Sequence, residues 1–238
     1  MPKPITVVLV HGAFAESASW RGVITALQAK RIDTIATPNP LRSVTTDADN
    51  VRRAAEAVGG PVVLVGHSYG GAVISEAAVG SDPVKGLVYV SAFAPDHGET
   101  SLSLTGRFPG SSLAGTLRSI PLGDGSNDLI VDRDLFPAQF AGDLSLSEAQ
   151  IGGATQRAIR DAALAEPQPA STPAWKTLPS WFVFGSGDKN IPVEGLRFMA
   201  ERAGSLETVE LPNASHSVMV SNPGAVADLI AEAVAHLS

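Results

Sequence analysis

Cysteine is absent from the 238 residues, which excludes disulfides, a thiol nucleophile and any cysteine-ligated zinc or iron–sulfur centre. Histidine is scarce: five residues in all, so each candidate base can be weighed singly. Charge is thin, at 17% of residues with a net charge of −7. The acidic excess is scattered, which reads as solubility, and there is no basic stripe to suit a nucleic acid. Long apolar runs are missing too. The first, residues 5–10, is too short to span a membrane and is followed by His11-Gly12. It lacks the long apolar region and small-residue cleavage site of a signal peptide. These absences predict a soluble, cytoplasmic protein with no nucleic-acid or membrane partner.

Elsewhere the chain is ordinary in its apolar content, 44%, and long enough for one large domain with a substantial core. Its first part alternates two patterns. Continuous apolar runs at 5–11 (ITVVLVH), 61–66 (PVVLVG) and 84–93, with a shorter one at 33–37, read as strands buried in a sheet. Between them, 19–30, 46–58 and 69–79 show helical spacing. The alternation resumes with strands at 179–185 (PSWFVFG) and 205–211 and helices at 193–203 and 223–237. Strands and helices of these lengths, in alternation, predict an α/β fold: a mostly parallel sheet with helices on both faces. The stretch from Asp96 to Thr177 is rich in Gly, Ser, Pro and Asp, lacks strand patterns, and offers a helix at about 147–164. A loose insertion of this length reads as a lid. The expected division is a core of residues 1–95 and 178–238, with residues 96–177 as a lid or cap.

The strongest chemical signal is Gly66-His67-Ser68-Tyr69-Gly70, set between the apolar strand PVVLV and a small-residue helix. A serine on a sharp strand-to-helix turn needs small neighbours two positions away, and the turn lifts Oγ above the sheet at the helix N-terminus. A serine hydroxyl is a weak nucleophile without a base, and the base needs an orienting carboxylate. His11 and His67 read as structural groups near the site, and His97 and His236 lie in the insertion and at the C-terminal end. That leaves His216, in the loop after the last strand, as the expected base. Asp188, the first carboxylate after the strand PSWFVFG, is the expected acid, with Asp96 as competitor. The chain order Ser68, Asp188, His216 fits a hydrolase sheet. The oxyanion donors are expected to be the amides of Tyr69 and of Ala13, with Phe14 as second choice.

Together these pieces resemble the α/β-hydrolase superfamily over almost the whole chain: HGAF, GHSYGG, the GSGD acid loop and NASH near the C-terminus. The single insertion, small size and LVHGAF are most similar to the branch of plant methylesterases and hydroxynitrile lyases and its bacterial esterase relatives. The lyases of that branch carry threonine at the position of Gly12 and lysine at that of Ser217; both are missing here, which favours ester hydrolysis. Dehalogenases and epoxide hydrolases place aspartate at the position of Ser68.

The resemblance implies a carboxylesterase-type serine hydrolase that needs no metal and no cofactor. Its expected substrate is a small apolar or aromatic ester, in a pocket lined by Phe14, Trp20, Phe93, Phe136, Phe140 and Trp175. Two other readings stay open: a non-catalytic receptor for a small ligand, and different chemistry on the same residues, such as lactone opening, C–C hydrolysis, perhydrolysis or lyase activity.

Overall fold

The computed structural model describes residues 3–238. From the N-terminus, β1 (Thr6–Val10), α1 (Arg21–Ala29), β2 (Asp33–Thr37), α2 (Val44–Ala57), β3 (Val62–His67), α3 (Tyr69–Ala77) and β4 (Val84–Val90) alternate. An excursion follows: α4 (Ser101–Arg107), β5 (Leu117–Pro121), β6 (Asn127–Val131), α5 (Phe136–Phe140), α6 (Leu146–Thr155), β7 (Ile159–Arg160) and α7 (Asp161–Ala165). The chain then returns through β8 (Ser180–Gly185), α8 (Val193–Arg202), β9 (Glu207–Leu211), α9 (Val218–Ser221) and α10 (Pro223–His236).

The large sheet has the order β2-β1-β3-β4-β8-β9, and every neighbouring pair is parallel. Parallel strands flanked by helices on both faces must be apolar throughout, and β3 is buried along its whole length. Alternate residues face opposite cores. Val8, Val10, Val62, Leu64, Leu87 and Tyr89 join α2, α3 and α8 on one face. Val7, Leu9, Val63, Val65, Val88 and Val90 join α1 and α10 on the other. The first face is continuous with the excursion, whose Phe136, Phe140, Leu164 and Trp175 belong to the same core.

The excursion holds structure that its sequence conceals. β5, β6 and β7 form a second, antiparallel sheet over the stretch expected to lack strands. The reason is burial: β5 is largely exposed and β6 only half-buried, so neither carries the apolar signature of a core strand. The expected helix at 147–164 is broken, ending as α6 at Thr155 and resuming as α7 after β7.

The excursion is fastened to the rest of the chain beside α2. The Arg42 guanidinium donates to Asp128 Oδ1 at 2.7 Å and to the Ala158 carbonyl at 2.9 Å. The Arg160 amide donates to the Leu41 carbonyl at 3.0 Å. The Glu166 carboxylate accepts from the Val44 amide and from Thr45 Oγ1 at the N-terminus of α2, where negative charge is favoured by the helix dipole.

Candidate active site

Ser68 sits between β3 and α3 with φ 53° and ψ −123°, a conformation that an L-residue holds at about 1–3 kcal/mol. Its surroundings fix that strain. The Ser68 amide donates to the Val90 carbonyl at 3.3 Å, and its own carbonyl accepts from Gly71 and Phe93 at 2.9 and 3.1 Å. Close approach explains the glycines. A Cβ on Gly12 would lie 2.6 Å from the His67 carbonyl and from Ser68 Cβ, and one on Gly70 would lie 2.7 Å from the Val10 carbonyl. The exit of β1 therefore packs directly on the turn that presents the serine.

His216 is buried in the loop that joins β9 to α9. Its Nδ1 donates to Asp188 Oδ2 at 2.6 Å. The other oxygen of Asp188 accepts from the Asn190 and Ile191 amides at 2.8 and 3.0 Å, so the carboxylate is oriented by backbone on one side and by the imidazole on the other. With Nδ1 donating, Nε2 is the free acceptor. Nε2 is buried and meets no hydrogen-bond partner among the described residues. It does not reach Ser68 Oγ in a hydrogen bond; Ser68 and His216 meet as walls of the same cavity. Catalytic hydrogen bonds are often long or poorly aligned before a substrate binds.

Two further histidines hold the frame. His67 Nε2 donates to the His216 carbonyl at 3.0 Å, and burial, helped by the neighbouring His216, keeps its imidazole neutral far below the ordinary pKa. His11 donates from Nδ1 to the Gly12 carbonyl at 2.9 Å and accepts the Asn39 amide on Nε2 at 3.0 Å. Burial, with the positive Arg157 nearby, outweighs the Gly12 hydrogen bond and lowers its pKa to about 4. Asp96 is drawn off elsewhere, onto Lys176 at 2.5 Å. Although partial burial opposes it, that ammonium and the His97 amide hold the Asp96 carboxyl below the usual range.

The loop after β1 discriminates between the two amides considered there. The Phe14 amide donates to the Arg157 carbonyl of the excursion at 3.2 Å, so it is occupied. Among the described residues, no loop or turn hydrogen bond takes up the amides of Ala13 and Tyr69, and both residues line the cavity. The Tyr69 hydroxyl is anchored away from the reacting face, donating to the buried Asp47 at 3.0 Å. Burial raises the pKa of both groups, and the Asp47 charge adds to the rise at Tyr69.

The cavity over Ser68 measures about 310 Å³. Phe14, Phe93 and Phe140 line it, but three expected wall residues do not. Trp20 faces the opposite core, below the sheet, because α1 packs there with α10. Trp175 is buried where the excursion returns to the large sheet, with Nε1 on the Pro95 carbonyl and Arg202 over its ring. Phe136 stands behind Phe140, stacked on it at 4.9 Å. In their place the wall uses Leu102, Phe108, Leu113, Leu117, Leu164 and Ile191. Of these only Phe108, in an aromatic-proline-glycine turn, carried a sequence signal.

No charged side chain lines the cavity, and among the described residues no three His, Asp or Glu gather as metal ligands. Among the described residues no helix is long and apolar enough to cross a membrane.

Comparison with known proteins identifies the family and the fold. A family described as "Alpha/beta hydrolase family" matches residues 7–229. A probable hydrolase of Phoma sp. is 34% identical over 116 residues, 42% of this chain and 47% of that protein. A carbendazim-hydrolyzing esterase of Nocardioides sp. is 50% identical over 44 residues, 18% of each. The chain thus spans less than half the length of these curated relatives. Solved structures match over nearly their full length. A methylesterase from Arabidopsis has TM-score 0.81 at 17% identity, covering 98% of this chain and all of that one. A pyrethroid hydrolase from Sphingobium faniae has TM-score 0.75 at 22% identity, covering 97% and 98%.

Proposed function

Because the chain belongs to the alpha/beta hydrolase family, we propose that it is a serine esterase acting through an acyl-enzyme on Ser68. The observation that carries this reading is the His216–Asp188 pair, which leaves a buried, unpartnered Nε2 at a cavity that Ser68 also lines. His216 Nε2 takes the Ser68 proton as Oγ attacks the ester carbonyl. The amides of Ala13 and Tyr69 hold the developing oxyanion, each contributing about 3 kcal/mol. Asp188 fixes the imidazole tautomer and stabilises the imidazolium. His216 then passes the proton to the departing alkoxide. Water, activated by the same imidazole, cleaves the acyl-enzyme and regenerates Ser68.

The substrate in this reading is a small, uncharged carboxylic ester with an apolar or aromatic body, held under residues 96–177 as a lid. Support comes from the cavity wall, where aromatic and aliphatic side chains dominate and no cation waits for a carboxylate or phosphate. Among the relatives, one is named a carbendazim-hydrolyzing esterase and a solved structure is that of a pyrethroid hydrolase. Fluorophosphonate labelling of Ser68 with turnover of short p-nitrophenyl esters tests the proposal. Both are expected to vanish in Ser68→Ala; wild-type turnover in that variant refutes it, and labelling of the parent without turnover of any ester indicates a receptor instead.

A further inference from the structure

A second, smaller recess of about 60 Å³ lies behind the main cavity. Phe14 and Phe140 line both spaces, so their rings form the partition between them. The two rings meet edge to face at 6.4 Å. Phe14 is held by its backbone, at φ 59° with its amide on the Arg157 carbonyl. The backbone of Phe140 is fixed as well, because its carbonyl accepts the Ser217 amide and hydroxyl at 3.2 and 3.0 Å. What closes the recess is therefore the Phe140 side chain, braced by Phe136 behind it.

The position of the recess says which end of a substrate it would meet. The Phe140 ring stands edge-on to His216 at 4.8 Å, and the recess continues along Ser217, Met219 and Val220, which follow His216 in the chain. In acyl transfer the leaving oxygen must receive its proton from the base, so the alcohol part of an ester lies against His216. The acyl part is left the 310 Å³ chamber beneath α4.

We infer that Phe140 sets the size limit on the leaving alcohol: it restricts the enzyme to esters of small alcohols while the acyl side stays permissive. The inference rests on the esterase reading. It assigns Phe140 a role in specificity, in contact with the substrate's alcohol end.

The test uses two ester series followed by pH-stat titration. One holds the acid constant as phenylacetate and lengthens the alcohol from methyl to butyl to hexyl; the other holds methyl and lengthens the acid. In the parent protein kcat/KM is expected to fall at least tenfold from methyl to hexyl alcohol. Phe140→Ala joins the two spaces and is expected to raise the hexyl-to-methyl ratio at least tenfold, a larger change than any it makes in the acyl series. Phe140→Leu keeps more of the buried volume and should give an intermediate ratio, which carries the test if the alanine variant misfolds. Alcohol ratios that stay within twofold of the parent in both variants, or a shift confined to the acyl series, overturn the inference while leaving the esterase reading intact. A parent protein that cleaves no ester in either series overturns both.

Discussion

Acidification from pH 7.5 to pH 4.5 should weaken the fold through His11 in particular. In the folded chain its Nε2 accepts the Asn39 amide while Nδ1 donates to the Gly12 carbonyl. Protonation would turn that acceptor into a donor aimed at another donor. Burial accordingly lowers the folded pKa to about 4, against 6.5 for an unhindered imidazole. The unfolded chain thus binds the proton first as pH falls, and stability drains away below about pH 6.5 until the folded pKa is reached. A gap of about 2.5 units corresponds to roughly 3 kcal/mol at the acid limit, with about 1 kcal/mol already lost at pH 5.5. His67 pulls in the same direction. Carboxylates add their own dependence, so the informative quantity is a difference. Urea unfolding of the parent and of His11→Asn at pH 7.5, 5.5 and 4.5 should show the parent's advantage shrinking by between about 2 and 3 kcal/mol over the range. A constant difference between the two proteins across that range would refute the assignment of His11 as a neutral, buried hinge of the β1 exit.

Two further substitutions probe the site's geometry. Gly12→Ala places a methyl 2.6 Å from the His67 carbonyl and Ser68 Cβ. It should lower kcat at least tenfold and cost about 1–3 kcal/mol of stability by overpacking, read by ester assay and urea melt together. Asp188→Asn keeps the shape of the pair with His216 but can drive the imidazole into the wrong tautomer. A loss of about 10²- to 10⁴-fold in kcat with little change in KM is expected from steady-state kinetics.

The sheet could be read from sequence because burial on both faces writes itself as unbroken apolar runs: β3 and β8 have no exposed residue to blur the signal. Ser68 and Asp188 were singled out the same way, each just after such a run, whereas His216 follows β9, whose alternate residues are exposed, and was reached by elimination among five histidines. The excursion was opaque for the converse reason. β5 is exposed along nearly its whole length, and its hairpin partner is fixed by pairing rather than by hydropathy. The aromatic wall shows a different limit. Trp20 and Phe14 are six residues apart and equally apolar, yet they face opposite cores, since composition does not reveal which side of the sheet a crossover helix takes. Likewise the sequence kept the Phe14 amide as second choice to that of Ala13 and held no sign that the Arg157 carbonyl takes it up.

The order in which the parts occur along the chain sets a schedule for its synthesis. Ser68 and the loop after β1 lie in the first third, whereas Asp188 and His216 follow the whole excursion. β4 waits for its second neighbour, β8, until some ninety residues of other structure have been made. A ribosome-bound chain therefore carries Ser68 and the residues proposed as amide donors well before it carries Asp188 and His216. In the proposed mechanism the Ser68 hydroxyl is thus made without its proton acceptor, and it stays chemically quiet until the last strand has joined the sheet.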